Sequence, residues 1–124
     1  MPAVYTIANL GDYLHVIVKG TLRTADELIT DGDVYYQAFA ETGVKRALLD
    51  FREARFLLDC YEMVQFAKHL QRTKFTYQRP KVAQLTTPEE KKRFEEFNTV
   101  AANRGHYPKA FTDEETALAW LLDK

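Results

Sequence analysis

Val44-Lys45-Arg46-Ala47-Leu48-Leu49-Asp50-Phe51 is the stretch that decides the fold. Its centre, Ala47-Leu48-Leu49, is continuously apolar rather than alternating, which is the pattern of a strand covered on both faces, as in a parallel sheet flanked by helices. Working outward, Val4 to Ala8 and Tyr13 to Lys19 are β-branched and aromatic runs joined by Asn9-Leu10-Gly11-Asp12, and they read as a β-hairpin. Pro80 to Thr86 and Tyr107 to Phe111 supply two further strands, which makes five.

Between the strands lie helical patterns, and the way they begin is the strongest local signal. A capping residue followed three positions later by glutamate occurs as Thr24 with Glu27, Asp59 with Glu62, Thr87 with Glu90, and Thr112 with Glu115. In such a box the first side chain accepts from a free amide of the first turn, and the glutamate reaches back to the cap's own amide. Pro88 adds the favoured first-position proline. Apolar stripes at helical spacing follow: Leu28, Ile29, Tyr35, Ala38 and Phe39; Met63, Val64, Ala67 and Leu70; Phe94, Phe97 and Ala101; Ala117, Leu118 and Leu121. Asp31-Gly32-Asp33 sits inside the first helix, where glycine costs ~1 kcal/mol against alanine, and predicts a break or kink there.

The order β-β-α-β-α-β-α-β-α predicts an α/β fold with a mainly parallel five-stranded sheet and an antiparallel first strand. Short connections and the lack of repeats or linkers predict a single domain over residues 1–124.

Composition bounds the function. The chain has 124 residues, 46% hydrophobic and 28% charged, which is ordinary for a folded domain. A net charge of −1 with pI near 6.3 provides no global field toward nucleic acid or an anionic membrane, so neither partner is expected. No apolar run approaches the ~20 residues of a membrane span and Met1 to Leu10 has no secretion-signal pattern, so a cytoplasmic location is expected. The single cysteine, Cys60, excludes an internal disulfide and multi-thiolate zinc sites. No serine occurs anywhere, which removes serine nucleophiles and serine phosphoswitches together.

The run Ala47-Leu48-Leu49-Asp50-Phe51-Arg52-Glu53-Ala54-Arg55-Phe56-Leu57-Leu58-Asp59-Cys60 resembles the central motif of STAS domains, the superfamily of anti-sigma-factor antagonists. In that motif an apolar strand ending in Asp is followed by a short turn, an apolar pair and an Asp-Ser that opens a helix. The segment Phe111 to Leu121 resembles the closing helix of SpoIIAA-like bacterial proteins, and Gly20-Thr21-Leu22-Arg23-Thr24 resembles the same branch. The resemblance implies a βα superhelical fold and a regulatory or binding role. It departs at one place: the family's phosphorylated serine would fall at or beside Cys60, and this chain carries Asp59-Cys60-Tyr61.

Residues that could carry chemistry are few. Cys60, placed in a helix's first turn, could be an activated thiol, but Asp59 and Glu62 oppose a thiolate and Leu57, Leu58 and Tyr61 favour a small core hydrophobe. His15, His69 and His106 have no spacing that puts two nitrogens on one metal, and no metal or other cofactor is expected. No glycine-rich phosphate loop follows any strand. Asp50 at a strand end, with Arg52 and Arg55 nearby, occupies the side of an open α/β sheet where ligands bind, although a surface ion-pair cluster explains the same residues. Arg72 to Lys81 interleaves cations with Phe75 and Tyr77 and reads as a solvated connection.

The reading that results is a non-catalytic STAS-type regulatory or protein-interaction domain. Its candidate surface comprises Asp50, Arg52, Arg55, Asp59, Cys60 and Tyr61, and its partner is another protein. The alternative is a carrier of a lipid or small apolar ligand related to the CRAL-TRIO fold, suggested by 13% aromatic content. A two-fold homodimer is the commonest closed assembly and is compatible with either, although the sequence does not mark an interface.

Overall fold

The five expected strands form one sheet: β1 (Val4–Asn9), β2 (Leu14–Leu22), β3 (Arg46–Phe56), β4 (Lys81–Leu85) and β5 (Lys109–Phe111), adjacent in that order. A computed structural model describes residues 4–57, 61, 62, 64, 65, 68, 80–102 and 108–123, without the side chains at 25, 28, 29, 31, 32, 36 and 101. β1 runs antiparallel to β2, and the other three pairings are parallel. The backbones of three helices are described end to end: α1 (Ala25–Thr42), α2 (Pro88–Ala102) and α3 (Glu114–Leu121). Between β3 and β4, residues 61, 62, 64, 65 and 68 are helical. Asp59, the cap expected there, lies outside the described residues.

Two cores occupy the two faces of the sheet. On one, Leu14, Val16, Val18 and Leu22 of β2 and Ala47, Leu49, Phe51, Ala54 and Phe56 of β3 pack with Tyr35, Ala38 and Phe39 of α1 and Phe94 of α2. On the other, Leu48, Ala83, Leu85 and Phe111 pack against Ala117 and Leu121 of α3. The two-sided burial of Ala47-Leu48-Leu49 follows from this arrangement: odd positions feed one core and Leu48 the other.

β3 is longer than its sequence pattern predicts. Pairing with β4 ends at Asp50 opposite Leu85, but pairing with β2 continues to Phe56 opposite Leu22. The expected turn after Phe51 is therefore strand. A bulge explains why the pattern concealed this: Ile17 faces Asp50 and Lys19 faces Glu53, so Phe51 and Arg52 share Val18. The extra residue lets Phe51 and Ala54, three apart, enter the same core, which breaks the alternation that identifies a strand.

α1 runs unbroken through Gly32, contrary to the expected kink. Its buried Tyr35, Ala38 and Phe39 hold it to the sheet, and that packing outweighs one glycine's ~1 kcal/mol. The helix stops at Gly43, whose φ of +72° is open to glycine and whose amide donates to the Phe39 carbonyl at 2.9 Å.

The described helix starts depart from the expected boxes in detail. Thr24 Oγ1 accepts from the Glu27 amide at 3.2 Å, but Glu27 Oε2 accepts from the Arg23 amide at 2.6 Å rather than from Thr24. Asp113, not Thr112, caps α3: its Oδ2 accepts from the Thr116 amide at 2.8 Å and the Thr116 hydroxyl at 2.7 Å. Those two hydrogen bonds, which Thr112 is one residue too early to make, hold the Asp113 carboxyl below its usual pKa. Thr87 supplies its carbonyl to the amides of Glu90 and Lys91 at 3.1 and 3.0 Å, and Pro88 opens α2. Replacing Thr24 by alanine is expected to lower stability by about 1 kcal/mol, measured by urea unfolding, because it leaves a first-turn amide without its acceptor.

Candidate functional site

Asp50 sits where the β3–β4 pairing ends and the β2–β3 pairing continues, so its side chain points to the α3 side at a step in the sheet. The carboxylate is 10% exposed and is gripped by one residue. Arg52 brings its amide and Nε to Oδ1, each at 3.0 Å, and a terminal guanidinium nitrogen to Oδ2 at 2.8 Å. Residues two apart on a strand share a face, which brings the Arg52 guanidinium alongside the carboxylate. Such a planar fork matches the carboxylate in a way lysine does not.

The charge balance at Asp50 has a clear sign. Burial pushes its pKa up, but the side-chain and backbone hydrogen bonds of Arg52, its charge and that of His15 outweigh burial and hold the carboxyl below its usual value. The hydrogen bond to Asp50 likewise raises Arg52. The guanidinium's outer side reaches Glu114, in the first turn of α3, at 3.9 Å. On β2, Ile17 lies opposite Asp50 and His15 opposite Leu48, and His15 keeps Nε2 buried with no hydrogen-bond partner among the described residues.

Asp50 is thus committed inside the protein, and the surface that remains at this end of β3 is formed by the residues beyond it. Arg55 is exposed and faces away from the larger core, opposite Thr21. Leu57 donates its amide to the Leu22 carbonyl at 2.9 Å, yet its residue surface is 55% exposed. Tyr61 is 70% exposed. Behind them, Arg93 of α2 hydrogen-bonds the Phe56 carbonyl and pairs with Glu90 at 3.8 Å, tying that helix to the strand's end. The structure therefore brings Asp50 and Arg52 together, places Arg55 and Tyr61 at the surface, and leaves Asp59 and Cys60 outside the described residues.

Leu57 and His15 were missed by the sequence reading. Leu57, in the apolar run before Asp59, carries no charged or hydrogen-bonding side-chain group that would single it out. The pairing of β3 with β2 as far as Phe56, the signal that places it at a strand's exit, was hidden by the bulge. His15 could have been found from the period of β2, because its neighbours Leu14 and Val16 both face the larger core.

Among the described residues no three His, Cys, Asp or Glu side chains gather as metal ligands, and no described helix is long and apolar enough to cross a membrane. Of the basic Arg72 to Lys81 segment, Lys81 is described: its ammonium lies 4.6 Å from the Trp120 ring centroid and donates to the Trp120 carbonyl at 2.6 Å and the Asp123 carbonyl at 3.2 Å. That cation serves to hold the end of α3.

No family model matches the chain, and none of the curated proteins does. Among solved structures it is similar to an uncharacterised protein of the DUF3478 family from Shewanella loihica PV-4, with 24% identity over 96% of this chain and 93% of the other, at a TM-score of 0.53. That protein has a SpoIIAA-like fold, and the element order, the antiparallel first strand and the parallel remainder found here are the same architecture: the chain has a SpoIIAA-like fold.

Proposed function

We propose that this chain is a non-catalytic, cytoplasmic regulatory domain of STAS type that acts through protein–protein contact at the carboxyl end of β3. The observation that carries the reading is the exposure of Leu57 and Tyr61, at 55% and 70%, where the central strand leaves the sheet. Exposed large side chains at Leu57 and Tyr61, close in the chain to the exposed Arg52 and Arg55, are of the tyrosine and arginine types that dominate binding energy in protein interfaces. Asp59 and Cys60, which the sequence reading groups with these residues, lie outside the described residues. Asp50 supports it from below, as a positioning residue for Arg52. With no serine in the sequence, regulation of this surface does not run through a phosphoserine.

Carriage of a lipid gains less support. Among the described residues, a cavity lined by Phe39, Ala40, Gly43, Val44, Lys45 and Pro80, at the opposite end of the sheet, has a volume of about 140 Å³. Ligand pockets start at about 300 Å³.

The test is affinity capture from native cytosol with wild type, Leu57→Asp and Tyr61→Ala, each sample split for mass spectrometry of proteins and of small molecules. A recurrent protein recovered by wild type and reduced at least ~10-fold by either variant is expected, a loss equal to about 1.4 kcal/mol of binding. Equal recovery by all three, or a stoichiometric lipid with no protein, would overturn the reading.

A further inference from the structure

The two edges of the sheet are built differently. An edge strand presents a row of backbone donors and acceptors to any other strand, and soluble proteins guard it with lysine, proline, bulges or shortness. β5 is guarded in this way: it has three residues, begins at Lys109 and follows Pro108. β1, the outermost strand on the other side, has six residues, Val4-Tyr5-Thr6-Ile7-Ala8-Asn9, with no formal charge and no proline, and its register with β2 is regular throughout. Val4 is 60% and Ile7 40% exposed, and both Thr6 and Ala8 are exposed.

We propose that β1 pairs antiparallel with β1 of a second copy of this chain, joining two five-stranded sheets into one of ten strands. Three features select a second copy as the occupant. A two-fold axis perpendicular to the sheet makes identical edge strands antiparallel while keeping each face on its own side, so directly opposed positions must have the same parity. About an axis at Thr6, position 5 faces position 7 and position 4 faces position 8, which sets tyrosine against isoleucine and valine against alanine, the cross-strand pairs that stabilise sheets. The absence of charge along the strand means that two copies meet with no like-charge opposition, whereas nothing along it would steer a charged partner. The guarded β5 edge blocks further addition, so the assembly closes at two rather than growing into a filament. Six residues at ~3.4 Å each give only ~20 Å of edge, which sets a modest, concentration-dependent dimer.

The surface is independent of the one at the end of β3, and the test is separate. Sedimentation velocity of the full chain from ~1 to ~300 µM, the range around a micromolar Kd, is expected to show the mass doubling with concentration. Thr6→Lys and Thr6→Glu, each substituting an exposed side chain near the axis, are expected to remain monomeric, and an equimolar mixture of the two to recover the dimer. That mixing arm separates repulsion from misfolding, since unfolded chains would not be rescued. A wild type monomeric throughout, a Thr6→Lys dimer as tight as wild type, or a mixture that stays monomeric overturns the proposal.

Discussion

Phe94→Ala is expected to lower the unfolding free energy by about 3–5 kcal/mol, the largest effect of any single substitution considered for this protein. Phe94 is the point at which α2 enters the larger core. Its ring stacks on Phe51 with centroids 5.4 Å apart and meets Phe56 edge-on at 5.1 Å, while Phe51 and Phe56 are themselves edge-on at 5.2 Å. Truncation removes a buried ring and the two aromatic contacts it makes, and the remaining phenylalanines belong to one continuous strand that cannot collapse into the space. Domains of this size have stabilities of about 5–15 kcal/mol, so a variant losing about a fifth or more should show a large drop in the urea midpoint. Phe94→Leu, which keeps most of the volume, should recover much of it. A loss below about 1 kcal/mol for the alanine variant would show that α2 is not anchored there.

The second large effect concerns Asp50 and depends on pH. Arg52→Met leaves the carboxylate buried with its three Arg52 hydrogen bonds reduced to the backbone one, and such stranded charges cost 3–5 kcal/mol where both partners are fully buried. Arg52's side chain is 46% exposed, which discounts the figure to about 2 kcal/mol at pH 7. The sign with pH follows from linkage. In the wild type the carboxyl is held below its unfolded value of about 3.8, so its stabilising contribution is fully present above that pH and is lost as pH falls through the folded value. In the variant the burial that raises the pKa loses most of its opposition, so the carboxyl takes up its proton at higher pH and relieves the buried charge. The stability gap between wild type and Arg52→Met should therefore begin to narrow above about pH 4, where the variant's carboxyl takes up its proton, and narrow further below about 3.8, where the wild type loses its own contribution. Urea unfolding at a series of pH values checks this, and a gap that stays constant between pH 7 and pH 3 would mean the fork contributes through packing alone.

Much of this architecture was legible in particular residues. Ala47-Leu48-Leu49 announced two-sided burial and the structure supplies a core on each side. Asn9 to Asp12 announced the hairpin, and the structure adds that Asn9 Oδ1 accepts from the Gly11 amide at 2.9 Å while Gly11 takes a φ of +90°. Boundaries were less legible, for identifiable reasons. The bulge at Phe51 and Arg52 disguised five residues of strand as a turn. Tertiary packing carried α1 through a glycine that local propensity would break. Asp113 displaced Thr112 because a carboxylate can hold the Thr116 amide and hydroxyl at once.

The site was legible in composition but not in arrangement. Asp50, Arg52, Arg55 and Tyr61 were all marked by residue type and by their place after the central strand. The sequence could not show that Asp50 is buried under Arg52, because residue 52 read as lying in a turn after the strand rather than on the same strand face. Nor could it separate the apolar Leu57, exposed, from Phe56 beside it, which is buried.

The most direct test of the regulatory reading is hydrogen–deuterium exchange of the protein alone and bound to the partner recovered by affinity capture. The account predicts new protection in peptides spanning Arg52 to Tyr61, with β1 unchanged beyond what self-association produces. Protection confined to other surfaces, with residues 52–61 exchanging as in the free protein, would contradict it.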